Sequence, residues 1–157
     1  MQQVWEIRQI IALAMLAISS YTDVKERRIY LMPLIISATG AVAISTVSYI
    51  CASVEEEAKI LIYDIAIPVS IGALIIITVK LAGRHIGSGD GYLMASLGIV
   101  TGIRSDISAV VIGMVTALLF VMFLSIKNGG FRRIRRRRIP FAPFVMTGYM
   151  VVIINGI

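Results

Sequence analysis

Long apolar runs broken by short charged segments narrow the possible folds of this chain more than any other feature. Six runs read as candidate spans, at residues 4–20, 30–50, 58–82, 91–103, 107–126 and 139–157. Inside a bilayer no water is present to bond the backbone, so runs of this length point to helices that satisfy their own N–H and C=O groups. Composition agrees, with 58% of residues hydrophobic, 15% charged and a mean hydropathy of +0.90. At 157 residues the expectation is one domain, 1–157, with no soluble catalytic module beside the spans. The expected fold class is all-α, an integral membrane bundle of six transmembrane helices. The first run has Glu6 and Arg8 near its start and no small-residue cleavage site at its end, so it reads as a retained helix and not as a signal peptide.

Charge sets the expected orientation. The segments after the first, third and fifth runs hold Lys25, Arg27, Arg28, Lys80, Arg84, Lys127 and the arginines Arg132, Arg133, Arg135, Arg136, Arg137 and Arg138, which is 12 of the 15 basic residues. Positive charge is retained on the cytoplasmic side, so these segments should be cytoplasmic and both termini outside. Glu55, Glu56, Glu57, Arg104 and Asp106 then fall in outer loops. The net charge of +6 follows from this topology. The Arg132 to Arg138 cluster reads as a topogenic segment in contact with anionic lipid headgroups. It has no interleaved aromatics, which speaks against nucleic acid as a partner. One cysteine, Cys51, and one histidine, His85, leave no basis for a disulfide framework or a zinc site, and no cofactor or metal is expected.

Within this frame two carboxylates stand out. Asp23 follows the first run, in Tyr21-Thr22-Asp23-Val24-Lys25-Glu26-Arg27-Arg28-Ile29, and Asp90 precedes the fourth, in Gly87-Ser88-Gly89-Asp90-Gly91. The orientation puts both on the cytoplasmic side. A carboxylate at the edge of a membrane span is costly to desolvate, which marks it as a functional candidate. Two that meet can share a proton, one acting as base on a water while the other polarises a carbonyl. The fourth run has only 13 residues, a rise of about 20 Å against a hydrocarbon core of about 30 Å. Its inner end is therefore expected to start below the membrane surface, with residues 83–90 descending as a non-helical loop into a wet notch that holds Asp90. Gly87 and Gly89 are expected to give the positive φ and the open space that an extended peptide needs.

Each feature also has a plainer reading. Gly-x-Gly-Asp alone is compatible with an ordinary flexible loop, and the Asp23 segment with a topogenic loop whose Lys25 and Arg27 either hold Asp23 ionised or only fix topology. Pro140 and Pro143 are compatible with a favourable helix start or with a rigid wall beside Asp90. Asp64, inside the third run, reads as a polar contact or as part of an ion pathway. His85 reads as a solvated loop residue and Cys51 as a small apolar one.

Taken together, three segments in order resemble the type IV prepilin peptidase family of membrane aspartic proteases, which includes the archaeal preflagellin peptidases. They are Asp23-x-Lys25-x-Arg27-x-Ile29 after the first run, Gly87-x-Gly89-Asp90 before the fourth, and Ile139-Pro140-Phe141-Ala142-Pro143-Phe144 opening the last. The resemblance spans most of the chain and implies Asp23 and Asp90 as catalytic residues. Lys25, Arg27, Gly87, Gly89, Pro140 and Pro143 would then belong to the active-site or substrate-binding segments. The paired CxxC motifs of the bifunctional bacterial enzymes are absent, so the chain resembles the short, peptidase-only branch, with no N-methyltransferase activity expected. The asparagine usual in the family's first loop is also absent, Ile29 running on into Tyr30-Leu31-Met32-Pro33.

The implied function is a multi-pass endopeptidase of the cytoplasmic membrane. It would cut the basic leader from a pilin-like or flagellin-like precursor, with its active site facing the cytoplasm. Two other classes compete. One is a proton-coupled transporter or channel using Asp23, Asp64 and Asp90, and the other a non-catalytic pilus-assembly subunit.

Overall fold

The computed structural model describes residues 2–49, 66–82, 88–127 and 140–156. Among them are six helices and no strand. They are α1 (Gln2–Glu26), α2 (Leu31–Tyr49), α3 (Ile67–Ala82), α4 (Ser88–Thr101), α5 (Ile103–Lys127) and α6 (Ala142–Asn155). The all-helical expectation holds for these residues. Two of the helices, α1 from Trp5 and α5, are long and apolar enough to cross a membrane, and Leu31–Ile44 and α6 are shorter apolar helices.

The short helix α4 lies at the centre of the bundle, packing against α1, α2, α3 and α5, while α6 packs on α1 and α5. Its sequence accounts for that place. Leu93, Leu97 and Val100 recur at helical spacing and are fully buried, and the small residues Ser96 and Gly98 let neighbours come close. Gly98 lies against Pro68 of α3, and Gly72 of α3 against Ala95. Small residues also bring α5 and α6 together, where Gly148 meets the backbone at Ala109 and Gly113.

In α1 the buried face is Ala12, Met15, Leu16, Ser19, Ser20 and Asp23, a run at i, i+3, i+4 spacing that carries Asp23 into the interior with its helix. In α5 the pattern is turned inside out. Its buried positions include Ser105, Asp106, Ala109 and Gly113, while Leu118, Leu119 and Phe123 are at least 60% exposed. Small and polar residues inside with large apolar ones outside suit a helix whose surroundings are apolar.

Three boundaries differ from expectation. Helix α1 does not end with its apolar run at residue 20 but continues to Glu26, closing with a bond from the Arg27 N–H to the Asp23 carbonyl at 3.0 Å. Hydropathy falls at Tyr21 to Glu26, yet nothing there breaks a helix. Helix α4 begins at Ser88, so Asp90 sits in its first turn and not in a descending loop. Residues 83–87, with Gly87 and His85, lie outside the described residues. Finally, the expected outer loop at Arg104 to Asp106 is the first turn of α5. Only Gly102, at φ 84°, separates α4 from α5, and Asp106 is 2% exposed where an outer-loop position was expected.

Candidate active site

Asp23 and Asp90 come from antiparallel helices and lie at the same end of the bundle. Asp23 lies near the C-terminus of α1 and Asp90 near the N-terminus of α4, and α1 packs directly on α4. The Asp23 carboxylate is close enough for its charge to act on the Asp90 carboxyl. A second contact joins the same segments. A Cβ placed on Gly89 would lie 3.1 Å from the Ile29 Cβ, so the turn before Asp90 packs on the segment that follows Asp23. Segments far apart in sequence are thus brought to one place by the packing of α1, its link to α2, and α4.

Gly89 has a different role from the one expected. It lies inside α4 and is not among the residues at positive φ, so the need for glycine here is the closeness of Ile29 and not a left-handed backbone. The left-handed residue is Arg27, at φ 53°. A non-glycine side chain in that region costs about 1 kcal/mol or more. It turns the chain out of α1 so that Ile29 can reach α4.

Asp23 is 8% exposed, and its Oδ2 accepts a hydrogen bond of 3.0 Å from the backbone N–H of Ala142. This places the last of the three motif segments beside the first. Pro140 precedes α6 and Pro143 is in its first turn, where proline is tolerated because the N–H groups of that turn have no partner within the helix. Of those groups, the Ala142 amide is the one that reaches Asp23. Lys25 does not pair with Asp23. Its ammonium bonds the Tyr21 hydroxyl at 3.3 Å and stands over the Tyr21 ring. Glu26 is engaged by the Tyr30 hydroxyl. Asp90 is half-buried in the first turn of α4.

Asp23 thus lies beside the Pro140–Pro143 turn, Gly89 packs on Ile29 of the segment that Arg27 turns out of α1, and Lys25 is directed to Tyr21. Gly87, Asp64, Cys51 and the arginines from Arg132 to Arg138 lie outside the described residues.

Two features had not been singled out from the sequence. Asp106 is buried at the far end of α4, beside Gly98 and Pro68, with its Oδ1 unpartnered. Its place among Arg104 and Ser105 gave it the look of an interspan loop residue. Arg8, near the start of α1, donates from Nε to the Val100 carbonyl at 2.9 Å and from a terminal nitrogen to the Ile99 carbonyl at 3.0 Å. It closes the C-terminus of α4, where free carbonyls favour a cation. A lone arginine inside an apolar run is the only signal that could have pointed to it. The chain matches no protein-family model, no curated protein and no solved structure.

Proposed function

We propose that the protein is a membrane aspartic endopeptidase of the prepilin-peptidase kind. It removes the basic leader from a pilin-like or flagellin-like precursor at the cytoplasmic face, as part of a bundle of six spans with both termini outside. The observation that supports the reading is that Asp23 and Asp90 lie at the same end of two packed helices, near enough to interact electrostatically, with Asp23 bonded to the turn that opens α6. The outward apolar face of α5 and the length of α1 and α5 support a membrane setting.

Two carboxyl groups at one site cannot both stay ionised without mutual repulsion, so together they hold one proton. In that state the ionised carboxylate takes a proton from a water, whose oxygen bonds to the scissile carbonyl carbon. The protonated carboxyl hydrogen-bonds the carbonyl oxygen as charge develops on it. The tetrahedral adduct then collapses, the C–N bond breaks and the leaving amine takes up a proton from the pair. All of this needs only side chains and water.

A second reading deserves a test because of Asp106. A buried carboxylate at the opposite end of α4 from Asp90 is what a proton pathway through the bundle would contain. Reconstitution in liposomes separates the two. Mass spectrometry of a precursor with a basic leader and an apolar helix should show a single new N-terminus, and a pH dye inside the vesicles should report no proton flux. Flux without cleavage would favour transport, and neither activity would leave an assembly subunit as the better account.

A further inference from the structure

A carboxylate in the last turn of a helix sits among free carbonyl oxygens, whose field opposes its charge. Asp23 is in this position, on a buried face of α1. Among the described residues, the charged neighbours on its own element give little relief. Lys25 is directed to Tyr21, Glu26 is negative and bonded to Tyr30, and Arg27 and Arg28 lie past the end of α1. From α4 the site receives another acid, Asp90, and the first turn of α6 holds no charged residue. The group that does meet the carboxylate is the Ala142 N–H at 3.0 Å. A backbone donor on one oxygen favours the ionised form of an acid and fixes the plane of its carboxyl. Asp90 has its own helix N-terminus, but a direct charge-assisted bond outweighs the diffuse field of a helix end.

We propose that the backbone amide of Ala142 is a positioning group that holds Asp23 as the charged member of the pair, so that Asp23 is the general base and Asp90 the proton donor. Occupation of Oδ2 by this amide leaves Oδ1 as the oxygen available to the reacting water. The three motif segments thereby take distinct parts: α1 supplies the base, α4 the acid, and the proline-flanked start of α6 the orientation. The assignment rests on the peptidase reading, although the contact it starts from does not.

The test replaces the peptide N–H of residue 142 by an ester oxygen in the full-length protein, which deletes the donor and keeps the side chain. An ester at residue 144 is the control, because the Phe144 N–H bonds the Phe141 carbonyl in the same turn and does not touch Asp23. The ester at 142 should lower kcat about tenfold or more with little change in KM, as expected for loss of a bond to a charged group. It should also move the acid limb of the pH–rate profile upward, since Asp23 becomes harder to ionise. The ester at 144 should leave that limb in place. Equal pH profiles for the two esters would overturn the proposal.

A second measurement needs no cleavage. The chain has four aspartates, so γ-carbon-13 aspartate NMR, assigned with single Asn variants, resolves each carboxyl. As the pH is raised, Asp23 should give a carboxylate signal before Asp90 does, and the ester at 142 should narrow that gap or reverse the order. The reverse assignment would overturn the proposal even if precursor is cut. If the signals behave as stated but no precursor is cut, the peptidase reading fails and the amide contact stands.

Discussion

Replacing Gly148 by alanine tests the closest approach in the bundle. A Cβ at this position of α6 would lie 2.1 Å from the Ala109 carbonyl oxygen and 2.8 Å from the Gly113 nitrogen of α5. Both are backbone atoms, so no side-chain rotation relieves the clash. Ordinary contact begins at 3.4 Å, and the two helices would have to part by about 1 Å in a densely packed interior. Overpacking costs about 1–3 kcal/mol, and a clash of backbone with Cβ puts Gly148→Ala at the upper end of that range. Gly40 is the counterpart, a mid-helix glycine of α2 with nothing within 4 Å of a Cβ built on it. Gly40→Ala should be neutral or stabilising by up to about 1 kcal/mol, through helix propensity alone. Thermal and SDS-induced unfolding in a mild detergent measures both variants against the parent. Gly148→Ala should unfold first and Gly40→Ala no earlier than the parent. The displacement would also reach the site, since α6 begins at the Ala142 amide that bonds Asp23. Equal stability of the two variants would refute the close packing of α5 on α6.

Two further perturbations probe the supports of the site. Arg8→Met should lower stability by about 2 kcal/mol, because two carbonyls at the end of α4 lose charged donors; unchanged unfolding would show that this clasp contributes nothing. Gly89→Val should impair cleavage by pressing on Ile29, whose Cβ is 3.1 Å from the added carbon, and Ile29→Ala in the same chain should restore much of the loss by opening space. Failure of the second change to rescue the first would mean that Gly89 matters for some reason other than this contact.

Sequence reading recovers the helices that carry the site and misses what holds it. The apolar runs locate α2, α4 and α5 to within a few residues, because a span of constant hydropathy leaves little freedom in where its helix lies. The helical run of Asp23 is missed, since hydropathy drops after Ser20 while no helix breaker appears before the helix ends at Glu26. Asp106 was placed in a loop for a similar reason. Two charges flanking Ser105 between two apolar runs look like an exit from the membrane, and a one-residue break at Gly102 leaves no such pattern. Asp23 and Asp90 were named from their motifs, and they lie at the same end of two packed helices, near enough for one charge to act on the other. The Ala142 contact was out of reach, because it uses a backbone N–H 119 residues from its acceptor and alanine gives no sign of it. Glycine contacts such as Gly148 on Ala109 are likewise set by helix crossing and not by local pattern.

The central claim is that two carboxylates act as one catalytic unit, and it is tested most directly by cleavage of a leader-bearing precursor with Asp23→Asn, Asp90→Asn and the double variant, each reconstituted and shown by its unfolding curve to be folded. Removing either member of such a unit abolishes its function, so each single variant should fall to the rate of the double variant. Near-parental cleavage by Asp23→Asn or by Asp90→Asn would contradict the account.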